Sequence, residues 1–130
     1  MRKVSYWQLV GFEHVHLENS FVLDIQASPG RLRLDVEVVL VPGHPDHRPP
    51  APDELNCYAR ATIDFPNLRT LAWTGQGTPP AVDASGETDY GGIDTFFWDG
   101  TSFHLEGDWG VIDLVSAPPV THLGHERGGK

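Results

Sequence analysis

The feature that most constrains this chain is a two-residue alternation of apolar and polar side chains through residues 21–40, interrupted by a single turn. Phe21, Leu23 and Ile25 alternate with Val22, Asp24 and Gln26. Leu32, Leu34, Val36 and Val38 alternate with Arg33, Asp35 and Glu37, and Leu40 ends the run. Successive side chains of a strand point to opposite faces, so this spacing gives each strand one apolar side. Ser28-Pro29-Gly30 supplies the turn, because proline presets φ and glycine accepts a positive one. Folding there sets Ile25 opposite Leu34, Leu23 opposite Val36 and Phe21 opposite Val38, a hairpin with one buried face. The same register sets Asp24 against Asp35, a like-charge pair that calls for solvent screening or a cation.

The rest of the chain reads in the same way. Cys57, Ala59, Ala61, Ile63 and Phe65 form one face of a strand. A hairpin at Pro66-Asn67 is expected to return residues 68–74 beside it, with Asp64 facing Arg69 and Arg60 facing Trp73. A further run, Ile93 to Trp98, turns at Asp99-Gly100, a strong hairpin signal. Residues 103–106 return, turn at Gly107-Asp108-Trp109-Gly110, and continue over 111–116. If that turn is tight, Leu105 faces Ile112 and Phe103 faces Leu114 inside, while His104 faces Asp113 outside. Short edge strands are expected over Tyr6–Val10 and near Val120, and no window carries a helical apolar stripe.

These elements predict an all-β chain, a mostly antiparallel single-domain β-sandwich or partly open β-barrel of about seven or eight strands. The domain covers residues 1–123, with 124–130 as a tail, since 130 residues leave no room for a second core. The 14 glycines and 11 prolines suit many short strands better than long helices. Two long connections, 42–56 and 75–92, stand out as places where function collects.

Charge narrows the function classes. The net charge is −9, and no Lys or Arg occurs between Arg69 and Arg127. That stretch holds Asp83, Glu87, Asp89, Asp94, Asp99, Glu106, Asp108, Asp113 and Glu126. Such a surface repels phosphate backbones and attracts basic partners. No apolar stretch approaches the roughly 20 residues that a spanning helix needs, so no membrane partner is expected. Arg2 and Lys3 are not followed by a signal-peptide core, because Gln8, Glu13, His14 and His16 interrupt it. The lone Cys57 fits a reducing compartment, and a cytoplasmic location is expected.

Several motifs suggest chemistry. His14, His16 and Glu18 lie two apart, so one strand face would offer all three to a divalent metal ion. This spacing resembles the ligand pattern on cupin strands, although that family's glycine, acidic residue and Pro-Gly-His segment are missing. Set against it is a solvent-facing strand with surface histidines. His104 with Asp113, and Glu106 beside it, would suit a general-base dyad or an exposed cross-strand pair. No nucleophile accompanies it, since Cys57 belongs to a buried face. Residues 83–94 resemble an EF-hand loop in outline, but Thr88 occupies the position of the obligatory glycine.

The aromatic residues of the acidic half complete the reading. Phe96, Phe97 and Trp98 are consecutive, so at least one large ring faces outward. The leading expectation is a non-enzymatic protein-binding domain without a cofactor, presenting an acidic, aromatic-containing face to a basic partner protein. Its face comprises Asp83, Glu87, Asp89, Asp94, Trp98 and Trp109, with a Trp as the desolvated anchor. Small acidic domains such as immunity and antitoxin proteins offer an analogy for that arrangement. The alternative is a small metal-dependent enzyme using His14, His16 and Glu18, with His104.

Overall fold

A computed structural model describes residues 3–9, 11–45, 47–49, 52, 57–75, 77, 81–82 and 88–123. The strands are β1 (Val4–Ser5), β2 (Val15–Ser28), β3 (Arg31–Leu40), β4 (Cys57–Pro66), β5 (Thr70–Thr74), β6 (Ala81–Val82), β7 (Thr88–Asp89), β8 (Thr95–Trp98), β9 (Phe103–Gly107), β10 (Gly110–Val115) and β11 (Val120–Leu123). A single 3₁₀ turn, Tyr6–Gln8, replaces the edge strand expected at the N-terminus. A larger sheet runs β1-β8-β9-β10-β5, a smaller one β11-β4-β3-β2, and β6-β7 form a separate ribbon. Neighbours are antiparallel throughout. The two main sheets stay separate and share one core, so the fold is a β-sandwich rather than a closed barrel.

The first hairpin forms at Pro29-Gly30, with Ile25 opposite Leu34 and Asp24 opposite Asp35. Each of the opposed carboxylates has a local partner. Gln26 donates its amide to Asp24 at 2.9 Å, and Arg33 donates to Asp35 at 3.1 Å. Upstream the expected register fails, because a bulge between Val22 and Asp24 adds a residue to β2. Val22, not Leu23, then faces Val36, and Phe21 faces Glu37. One extra residue sends every earlier side chain to the other face. Val22 is accordingly 0% exposed, Leu23 half-buried and Phe21 36% exposed. A second irregularity between His16 and Phe21 is held by the buried Ser20, whose hydroxyl donates to the His16 carbonyl at 2.7 Å and accepts from Val39 N–H at 3.0 Å.

The apolar face of β4 is as expected, with Cys57, Ala61, Ile63 and Phe65 buried. Its partner is not. Instead of a hairpin, the chain leaves the smaller sheet through Asn67, in the left-handed region at φ 53°, and β5 joins β10 in the larger sheet. Leu68 N–H donates to Gly30 O at 3.0 Å and Arg69 N–H to Val115 O at 2.7 Å, fixing the crossing. Asp64 therefore pairs with Arg31 at 2.8 Å rather than with Arg69, Arg60 lies opposite Glu37, and Trp73 lies opposite Ile112.

The β8-β9-β10 meander follows the sequence pattern, with Leu105 opposite Ile112, Phe103 opposite Leu114 and His104 opposite Asp113. Asp99 stabilises the first turn by accepting from Thr101 and Ser102 N–H at 2.9 and 2.8 Å. The two sheets meet at aromatic side chains. Phe65 of the smaller sheet lies 5.9 Å from Phe96 and 5.5 Å from Phe103 of the larger, and Phe12 reaches Phe96 at 5.4 Å. Leu34→Ala, in the same core, is expected to cost roughly 2–5 kcal/mol. The bulge makes a sharper expectation: Val22→Ala destabilises more than Leu23→Ala, although leucine loses more atoms. Urea unfolding of both variants checks this, and the opposite order would place Leu23 in the core and remove the bulge.

Candidate recognition face

Phe96 and Phe97 are adjacent on β8, so only one of them reaches the core. The Asp99-Gly100 turn sets Phe96 opposite Leu105, which buries Phe96 and turns Phe97 to the outer surface of the larger sheet. Phe97 stacks on its cross-strand neighbour His104, with ring centroids 4.9 Å apart and planes 25° apart. Lys3 places Nζ 4.5 Å from the Phe97 centroid, a cation–π contact.

Each nitrogen of His104 meets a carboxylate. Nδ1 lies 2.6 Å from Asp113 across the β9-β10 pair, and Nε2 lies 2.5 Å from Glu106, two residues along the same strand. Partial burial opposes the imidazolium, but the hydrogen bonds to Glu106 and Asp113 and their negative charges outweigh it, raising the His104 pKa above its ordinary value. In the charged form both N–H groups donate, one to each carboxylate. The ring thus bridges two acids and has no free nitrogen with which to take a substrate's proton. The sequence expectation that His104, Asp113 and Glu106 come together is met, and their geometry suits a counterion better than a general base.

The expected aromatic anchors are placed otherwise. Trp109 is only 2% exposed, and its indole N–H donates to the Gly92 carbonyl at 3.0 Å. Trp98 lies opposite Phe103, an inward-facing residue, and packs half-buried against the core. Phe97 is the outward ring. The signal for it lay in the register: once Leu105 faces inward, so does Phe96, and Phe97 must face out.

The acidic residues divide by role. Asp89 accepts from Gly91 N–H at 2.8 Å and so holds a turn, whereas Asp94 is exposed. Asp83 and Glu87 lie outside the described residues, as do residues 83–87 of the EF-hand-like loop as a whole. Asp99 serves its turn, and the Ser102 and Thr101 amides it accepts hold its carboxyl below the usual range.

His14, His16 and Glu18 do not share a strand face. His14 sits before β2 in a left-handed turn at φ 60°, so the alternation that would align it with His16 does not reach it. Glu18 approaches His16 at 3.6 Å and accepts from the Tyr6 hydroxyl at 2.6 Å. Burial, and then that bond to Glu18, push the Tyr6 hydroxyl above its ordinary pKa. Among the described residues, no group of three or more His, Cys, Asp or Glu is placed to hold a metal ion. Cys57 is buried as expected, with Arg48 Nη1 3.2 Å from its sulfur.

Comparison of the chain with protein-family models, curated proteins and solved structures finds no match. Among the described residues, no helix is long and apolar enough to cross a membrane.

The bridge has a pH signature. A His whose folded pKa lies above the unfolded value of 6.5 adds stability that is complete below that value and is lost as pH rises through the folded pKa. Melting temperatures of the native chain and His104→Gln are therefore expected to differ most at acid pH, and the gap narrows as pH climbs above 6.5. A gap independent of pH would mean that His104 does not act as the charged partner of Glu106 and Asp113.

Proposed function

We propose that the protein is a non-enzymatic binding domain whose larger sheet presents its outer, acidic face to a basic partner protein. The observation that carries this reading is the unequal distribution of counterions between the two sheets. On the smaller sheet the arginines face carboxylates: Arg31 with Asp64 at 2.8 Å, Arg33 with Asp35 at 3.1 Å, and Arg60 with Glu37 at 4.0 Å. On the larger sheet no Lys or Arg occurs within β1, β5, β8, β9 or β10, and Lys3, just before β1, reaches the Phe97 ring. There Asp113 and Glu106 share one imidazole.

An arriving arginine would find two acceptors there for charge-assisted hydrogen bonds, and beside them the Phe97 ring, whose cation–π contact it would take over from Lys3. The remaining acids of the stretch, Asp94 among them, would steer the approach over about 8 Å at physiological salt. The analogy with immunity and antitoxin proteins and the cytoplasmic location belong to this reading, the latter on the strength of the single buried cysteine.

Capture from native extract, followed by binding kinetics at low and high salt, separates the two contributions. Asp113→Lys is expected to slow association and flatten its salt dependence. Phe97→Ala is expected mainly to speed dissociation, at a cost of roughly 2 kcal/mol. A captured partner that is itself acidic, or one whose binding survives both substitutions, would overturn the proposal.

A further inference from the structure

The inner side of the smaller sheet does not close completely at one end. Leu17, Val38, Ala61 and Ile63, all buried side chains, together with Phe12 wall a cavity of about 500 Å³. Its mouth is lined by Glu13, His14, His44 and Thr121. The rim is a built structure. Val41 N–H donates to the His14 carbonyl at 3.0 Å, tying the two rim loops together. The His14 ring lies so close over Gly43 that a Cβ there would come within 2.9 Å of it, and Gly43 has a φ of +109° that glycine alone adopts without strain. On the other side Thr121 donates to the Gly11 carbonyl at 3.1 Å.

An opening of about 500 Å³ beside core side chains falls in the roughly 300–1,000 Å³ range of small-molecule sites. The walls favour an apolar body. At the mouth, the His14 imidazole offers a ring N–H donor. Glu13, held at the rim by Gly11 N–H at 3.0 Å, and the net charge of −9 both disfavour an anionic head.

We propose that this cavity binds a small, uncharged, largely apolar molecule whose acceptor oxygen, such as that of a ketone or ester, meets His14 at the mouth. The site stands apart from the recognition face, which lies on the outer side of the other sheet, so either proposal can fail alone.

The test uses the neutral fluorophore N-phenyl-1-naphthylamine with the intact chain. Saturable binding of one probe per chain is expected, with displacement by 2-decanone but not by decanoate at neutral pH. Ala61→Phe fills the cavity from its wall and Leu123→Trp from its partly exposed rim. Each is expected to weaken the probe about tenfold or more, with the melting temperature held. Should Ala61→Phe not fold, Leu123→Trp alone decides the matter. His14→Gly, which keeps the left-handed backbone, is expected to reduce the advantage of 2-decanone over decane. Absence of saturable binding, binding that survives the filling variant that folds, or displacement by decanoate as effective as by the ketone would each overturn the proposal.

Discussion

The contact on which the rest of the structure depends is the meeting of Phe65 with Phe96 and Phe103, where the smaller sheet touches the larger. A sandwich of two short sheets has few places where large side chains from both layers interlock, and aromatic rings supply the most buried area per residue. Tyr6 adds a ring parallel to Phe96 at 6.2 Å, and Phe12 adds an edge-on contact. With Phe96 committed to this junction, its neighbours on β8 have no choice of side. Phe97 is expelled to the surface by the same alternation that seats Phe96.

The outer faces of the sheets handle charge in opposite ways. The smaller sheet neutralises itself within its own strands, at distances short enough for direct ion pairs. The larger sheet sets two carboxylates around one imidazole, with Lys3 over the neighbouring Phe97 ring. His104 thus relieves repulsion between Asp113 and Glu106 and at the same time orders them, so that two acceptors are preorganised on a stiff support. A basic side chain arriving there would compete with an internal counterion that is only a histidine, whereas on the opposite face it would have to displace arginine.

Much of this architecture was legible in the chain, and the failures have identifiable causes. Residues 31–38, 61–65, 103–106 and 111–114 alternate without interruption, and their buried faces follow directly. β2 does not, because its register shifts fall at Val22-Leu23, where either residue would suit the core, and between His16 and Phe21, where no glycine or proline marks the irregularity. The partner of β4 is missed because adjacent strands usually pair, and the left-handed conformation that Asn67 tolerates serves a hairpin as readily as the crossing to the larger sheet found here. At the candidate site, the His104-Asp113 pair followed from turn length alone. The preference for tryptophan as an anchor obscured Phe97, even though the register assigned it. Lys3 is too distant in sequence for any local pattern to bring it to that ring.

Trp109 carries a consequence of another kind. Its indole holds the Gly92 carbonyl, its own carbonyl accepts the Trp73 indole at 3.1 Å, and Gly75 backs onto Gly110 so closely that a Cβ would come within 3.0 Å of that Cα. The acidic connection therefore departs from the larger sheet and rejoins it at one spot. The entropy of closing such a loop rises only with the logarithm of its length, by about 0.6 kcal/mol per doubling. Between those anchors the β6-β7 ribbon pairs within the connection itself, so a change in its composition bears on the larger sheet only through its two fixed ends, and selection can revise it at little cost to that sheet.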